Sequence, residues 1–210
     1  MHFQKGHIYH LFNQGNNQEK IFYKRDHYIY FLRKIKLHVF PYTEILAWCL
    51  MPNHFHLMVY LPDDLLVENI DQQKSVKQND IRESTDILPK SIGNMLSSYT
   101  RAINIQNNRS GSLFRSKTKA LCLTEIDGIT KSWYTNNGFT KINIQPAEKQ
   151  YPTICYNYIL NNPVKAKLVS RNEDWEFSSY LDVTDKRKGK LLSYSRITEL
   201  GLVLDERFVD

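Results

Sequence analysis

The chain has 210 residues, with 28 Lys and Arg against 22 Asp and Glu, a formal charge of +6 and 41% hydrophobic residues. That balance is ordinary for a globular protein and excludes a wholly disordered chain, a collagen or a coiled-coil rod. No apolar run approaches the roughly 20 residues of a membrane helix, and Met1-His2-Phe3-Gln4-Lys5 leads into no apolar signal-peptide region. Cys49, Cys122 and Cys155 are odd in number and far apart. They form neither a disulfide framework nor a zinc ribbon, so a reducing, cytoplasmic setting is expected. The modest basic excess suits a nucleic-acid binder and many other proteins equally well.

Residues 7–12 read as a strand ended by the turn signal Asn13-Gln14-Gly15-Asn16-Asn17. Asp26 is expected to cap a helix running to about His38, with Tyr28, Phe31, Leu32 and Ile35 on its buried face. Pro41 stops it. Residues 44–50 and 54–61 read as two strands of a hairpin around the tight connection Met51-Pro52-Asn53. Residues 62–86 are polar and read as a solvated insertion. A helix is expected over 90–105, with Ile92, Leu96, Tyr99 and Ile103 on one face. Asn107-Asn108-Arg109-Ser110-Gly111 turns the chain, and residues 113–123 read as a strand. Residues 127–146 look loop-like. The last long helix is expected over 153–162, broken by Pro163. The order β-α-β-β-α-β, then a further helix, predicts an α+β, ferredoxin-like split arrangement: an antiparallel sheet with helices on one side. No Gly/Pro/Ser-rich linker divides the chain. Residues 1–180 are therefore read as one domain with polar insertions near 62–86 and 127–150, and residues 181–210 as a C-terminal extension.

Three groups of residues could carry chemistry. His54-Phe55-His56 opens a strand, where side chains two apart share a face. Both imidazoles project together and could hold one divalent cation, or they are two polar positions beside a turn, since a metal needs further ligands. Tyr158 and Asn162 are four apart on a helix and share a face. They could meet one ion, or they are a core tyrosine and an asparagine cap. Tyr156 lies on another face and is a weaker nucleophile candidate. Arg115, Lys117 and Lys119 would share one face of a strand and could follow a phosphate backbone or simply face water. Arg101, Arg109, Lys165 and Lys167 could extend that patch.

Several segments resemble the single-tyrosine transposases of bacterial insertion sequences, especially the REP-associated tyrosine transposases of the HUH endonuclease group. They are residues 9–17 (Y-H-L-F-N-Q-G-N-N), 51–59 (M-P-N-H-F-H-L-M-V), 111–117 (G-S-L-F-R-S-K), 158–169 (Y-I-L-N-N-P-V-K-A-K-L-V) and 174–180 (D-W-E-F-S-S-Y). They follow the family's order. The resemblance implies that Tyr158 is the nucleophile and that His54, His56 and Asn162 are metal ligands. Relatives often carry Arg before the first-strand glycine, where this chain has Gln14.

By this resemblance the reaction is transesterification on single-stranded, hairpin-associated DNA through a 5′-phosphotyrosine link. A phenol, with an ordinary pKa near 10, needs help as a nucleophile. Two imidazoles and an amide should favour Mn²⁺ in the test tube, with Mg²⁺ the abundant cellular ion. Relatives include monomers and homodimers, some with the tyrosine helix acting in trans. Two alternatives stay open: a catalytically inactive or domesticated DNA hairpin-binding protein, and a zinc hydrolase using His54, His56 and a distant acid.

Overall fold

The computed structural model describes residues 1–63, 84–125, 133–136, 139–142 and 147–205. In chain order they form β1 (Ile8–Gln14), α1 (Arg25–His38), β2 (Glu44–Met51), β3 (His54–Tyr60), α2 (Ser84–Gln106), β4 (Lys119–Cys122), β5 (Trp133–Asn136), β6 (Phe139–Ile142), α3 (Ala147–Lys165), α4 (Tyr180–Val183) and α5 (Tyr194–Glu199). The main sheet has the order β2-β3-β1-β4, and every neighbouring pair is antiparallel. This is the expected α+β arrangement of a split β-α-β fold.

Alternation along the strands sorts the side chains onto two faces. Phe55, Leu57 and Val59 of β3 share a face with Asn13, Leu11 and Tyr9 of β1, their register partners. α1 and α2 cover this face. Phe31 meets Phe55 with ring centroids 5.1 Å apart and stands edge-on to Tyr99 at 4.9 Å. The Tyr99 hydroxyl is buried and donates to the Ile21 carbonyl at 2.8 Å, so the ring's polar end is satisfied inside the core. The other face carries His54, His56 and Met58 opposite Gln14, Phe12 and His10. α3 packs there against β2 and β3. The sheet is thus covered on both sides, not on one as the element order predicts, and β2 is buried along nearly its whole length.

The edge strand β2 is closed by the C-terminal segment. Leu50 N–H donates to the Phe177 carbonyl at 2.8 Å, and Ser179 N–H donates to the Trp48 carbonyl at 2.8 Å. The Ser179 hydroxyl accepts from Trp48 N–H at 2.9 Å. The W-E-F-S-S-Y stretch therefore pairs with an otherwise open sheet edge. Arg187 clamps it by bonding Asp182 at 2.7 Å, the Glu176 carbonyl at 2.6 Å and the Ser178 carbonyl at 2.5 Å. Farther on, Ser193 N–H donates to the Ile45 carbonyl at 2.9 Å, and buried Leu192 and Leu202 join the same core.

Several local expectations need correcting. Asp26 does not cap α1: Lys24 is at the cap, with no side-chain bond, and Asp26 lies in the first turn. There its charge still favours the helix N-terminus. α2 begins at Ser84, within the expected insertion, and holds Pro89. Its buried stripe extends N-terminally to Leu88 and uses Met95, with Leu96 only half-buried. The expected strand over 113–123 is confined to Lys119–Cys122. Before it, Leu113 and Phe114 turn into the core, with a single bridge from Phe114 to Gly15.

Within 127–146, read as loop-like, the chain forms the antiparallel pair β5 and β6. Residues 64–83, 127–132, 137–138 and 143–146 of the expected insertions lie outside the described residues. α3 starts six residues before the expected position, at Ala147, and runs through both Pro152 and Pro163. Pro163 sits in the last turn, where few backbone bonds are lost. The helix then closes with Leu168 N–H on the Pro163 carbonyl at 3.0 Å and Lys167 N–H on the Val164 carbonyl at 2.8 Å. Lys167 takes the left-handed φ of 56° that this C-terminal motif requires. Among the described residues no helix is long and apolar enough to cross a membrane.

Candidate active site

β3 presents His54 and His56 side by side, with ring centroids 4.9 Å apart and planes at 81°. β1 adds a third imidazole. His10 Nε2 lies 2.9 Å from His56 Nδ1. From above, α3 lowers Asn162 between the first two rings. Its Oδ1 is 3.4 Å from His54 Nε2, and its Nδ2 is 3.5 Å from His56 Nε2. One turn earlier, the Tyr158 ring stands edge-on to His56 at 5.4 Å and to His10 at 6.1 Å. Tyr158 is 38% exposed, whereas Tyr156 on the opposite side of α3 is 2% exposed and packed in the core. His10, His56, Phe12, Leu121, Lys165 and Tyr158 all border a recess of about 390 Å³. A single chain supplies both the imidazoles and the phenol.

Burial sets the protonation of the rings. It pushes His10 down to about 4. It lowers His54 as well. His56 falls well below the ordinary histidine value through burial, with His10 and His54 adding to the shift. Each ring is therefore neutral at pH 7 and keeps one nitrogen lone pair. Burial raises the Tyr156 phenol, so that side chain is both hidden and hard to ionise.

Among the described residues no three His, Cys, Asp or Glu side chains gather as a metal-holding group. The atoms that come together are His54 Nε2 with the Asn162 amide oxygen, and His56 Nε2 with the amide nitrogen of the same side chain. Donors about 2.1 Å from a common ion lie about 3.0–3.5 Å from one another. The spacing of 3.4 Å between His54 Nε2 and Asn162 Oδ1 meets that condition. Neutral imidazoles with an amide oxygen suit a divalent ion of intermediate hardness.

The basic residues expected as one patch form two groups. Arg101, Arg115 and Lys117, joined by Arg109, line a groove of about 1150 Å³ between α2 and residues 112–118. Two local structures build it. α2 ends with Asn108 at a left-handed φ of 48°, and Arg109 N–H returns to the Asn104 carbonyl at 2.9 Å. Buried Asn13 donates from its amide to the Arg115 carbonyl at 3.1 Å and the Thr118 hydroxyl at 2.9 Å, which fixes the loop. Arg115 and Lys117 thus leave a loop, not a strand face. Lys119 and Lys165 lie with the histidines instead. Lys119 is the register partner of Phe12. Lys165 Nζ is 5.9 Å from the centre of the Tyr158 ring. Lys167 is exposed at the end of α3.

Two neighbours of the site were not singled out by sequence reasoning. His10 becomes visible only once β1 is paired with β3. Asn53 lies inside the Met51-Pro52-Asn53 turn, where an asparagine needs no functional reason. Its Oδ1 is 2.6 Å from His54 Nδ1. Gln14 is the register partner of His54, so the position at which the chain departs from the resembling sequences borders the site.

No family model matches the chain, and no curated protein matches it. Its structure is similar to that of a REP-associated tyrosine transposase bound to a REP hairpin, with a TM-score of 0.53 and 17% sequence identity over 93% of each chain. Along nearly its whole described length, the chain shares the fold of that transposase.

Proposed function

We propose that this protein cuts and rejoins single-stranded DNA next to a hairpin, with Tyr158 as the nucleophile. The observation that carries the reading is the convergence of Tyr158 and Asn162, one turn apart on α3, on His54 and His56. A fold shared with a transposase that was solved with a DNA hairpin supports it.

In the proposed reaction the Tyr158 oxygen attacks a backbone phosphorus. A tyrosine–phosphate bond forms at the 5′ end, the P–O3′ bond breaks, and the 3′ oxygen leaves as a hydroxyl carrying the proton. The phosphoester energy is retained, so a later 3′-hydroxyl can displace Tyr158 and reseal a strand without another energy source. His54, His56 and Asn162 would hold Mg²⁺ or Mn²⁺, which when bound would polarise the phosphate oxygens. α3 keeps the phenol ring beside the imidazoles, which replaces a random encounter by a positioned attack. Lys165 borders the recess, and Lys119 is paired with Phe12 of its lining; both would attract the phosphates next to the reacting one. The Arg101/Arg109/Arg115/Lys117 groove would hold the backbone of the hairpin.

A labelled hairpin with a single-stranded extension tests this on a denaturing gel. Wild type should give a covalent protein–DNA adduct with Mn²⁺ and none in EDTA. Tyr158→Phe should give no adduct while binding the hairpin within a few-fold of wild type. Undiminished cleavage by Tyr158→Phe would move the nucleophile elsewhere. Tight binding by wild type without an adduct would favour a hairpin-binding protein that does not cut.

A further inference from the structure

The geometry points to Asn53 and His10 as positioning residues that hold the His54 and His56 rings with the proton on Nδ1, leaving both Nε2 lone pairs aimed at Asn162. This rests on the reading of His54, His56 and Asn162 as the ligands of a divalent ion. Neither Asn53 nor His10 touches the reacting atoms in that reading.

The turn after β1 sets the first of these tautomers. Asn17 and Gln18 take left-handed φ angles of 51° and 60°. The turn closes so tightly that a Cβ on Gly15 would lie 2.2 Å from the Glu19 carbonyl oxygen. Gly15 N–H is bonded to the Asn53 carbonyl at 2.8 Å, which locks this turn onto the β2–β3 connection. In that arrangement the Asn53 amide nitrogen donates to the Gln18 carbonyl at 3.2 Å. A carbonyl only accepts, so the orientation of the Asn53 amide is fixed. Its Oδ1 must then be the atom facing His54 Nδ1 at 2.6 Å. That oxygen also only accepts. The proton therefore sits on His54 Nδ1, and His54 Nε2 is bare.

A bare Nε2 facing the Asn162 oxygen at 3.4 Å is an arrangement of two electron-pair donors with no hydrogen between them. Such a pair suits a cation and does not suit a hydrogen bond. On the other ring, His56 Nε2 faces the Asn162 Nδ2 donor at 3.5 Å and so presents a lone pair there. The His56 proton is then on Nδ1, directed at His10 Nε2 at 2.9 Å. His10 serves as the acceptor, with its own proton on Nδ1. Both imidazoles thus use the outer nitrogen on a protein acceptor and keep the inner one for an ion. Partners of this kind orient the ligand ring and fix its tautomer, and their loss commonly costs 10–100-fold in metal affinity.

Protein labelled with ¹⁵N-histidine, free of metal and at neutral pH, reports each tautomer through two-bond ¹H–¹⁵N correlations. Wild type should show His54 and His56 protonated on Nδ1. In Asn53→Leu, His54 should shift to the Nε2-protonated form, which can donate to Asn162, and calorimetry should show Mn²⁺ affinity falling about 10–100-fold. Asn53→Asp keeps the acceptor and should restore both readouts to within a few-fold. His10→Phe should release the His56 tautomer in the same way, and His10→Gln should retain it. An unchanged His54 tautomer in Asn53→Leu, or an unchanged Mn²⁺ affinity, would overturn the assignment. If tautomers and Mn²⁺ affinity follow this pattern while wild type leaves hairpin DNA uncut, the strand-cutting reading fails and the positioning role stands.

Discussion

Replacing Arg101, Arg115 and Lys117 together by glutamine should change how DNA affinity depends on salt. All three side chains are exposed and line the same groove, so the triple variant removes surface charge without opening the core. Each phosphate contact contributes about 0.9 to the slope of log affinity against log salt on duplex DNA, and about 0.7 on single strands. Three lost contacts make the slope shallower by about 2.7 on a hairpin stem, or about 2.1 if the groove holds an unpaired strand. Between about 50 and 200 mM salt, wild type should then lose about 40-fold more affinity than the variant on a stem, or about 18-fold more on a single strand. Fluorescence anisotropy over a salt series on matched hairpin and unpaired oligonucleotides measures both slopes and tells which form the groove holds. Lys36→Gln, on the exposed side of α1, is the control and should leave the slope alone. A slope change below about 1 for the triple variant would mean that these cations only face water.

Other consequences concern stability and can be read without DNA. The folded-state value of His10, near 4, lies below the unfolded value of 6.5, so the unfolded chain binds the extra proton. Stability from this group is full above about pH 6.5 and is lost as pH falls toward about 4, by about 3 kcal/mol in total. Urea titrations in EDTA should show that loss in wild type, and His10→Phe should lack that share of it. Gly15→Ala forces a Cβ against the Glu19 carbonyl and should cost about 1–3 kcal/mol in the same assay; a neutral effect would mean that the turn adapts freely. Ser179→Ala leaves the buried Trp48 N–H without its side-chain acceptor and should cost about 1–3 kcal/mol, while an unchanged midpoint would make the edge closure independent of that hydroxyl.

The sequence was most informative where one local rule decides the outcome. Alternation alone put His54 and His56 on a common face, and helical spacing alone put Tyr158 and Asn162 on another. The β-hairpin and the element order followed from apolar runs and turn residues. Reading failed where a local preference met a tertiary contact. Pro163 disfavours a helix, yet buried Ile159, Leu160 and Pro163 itself keep α3 packed for one more turn. The alternating cations of residues 115–119 look like a strand face, yet Phe114 is drawn into the core and Asn13 holds the following loop. His10 was out of reach for a different reason: its partner is 46 positions away, and only strand register identifies it.

That register ties the fold and the site to one constraint. Along β3 the histidines alternate with Phe55 and Leu57, so a slip of one residue against β1 would exchange the two sets between faces. His54 and His56 would then enter the aromatic core formed with Phe31 and Tyr99, and Phe55 would face α3. Burying two imidazoles there without partners costs several kcal/mol, and the core would lose its central ring. The slip is opposed at the strand ends as well, because Gly15 N–H meets the Asn53 carbonyl and Gly6 N–H meets the Leu61 carbonyl at 2.7 Å. The turn at residues 15–19 therefore acts on the chemistry twice. It sets which face the imidazoles occupy, and through Gln18 and Asn53 it sets which nitrogen of His54 is bare.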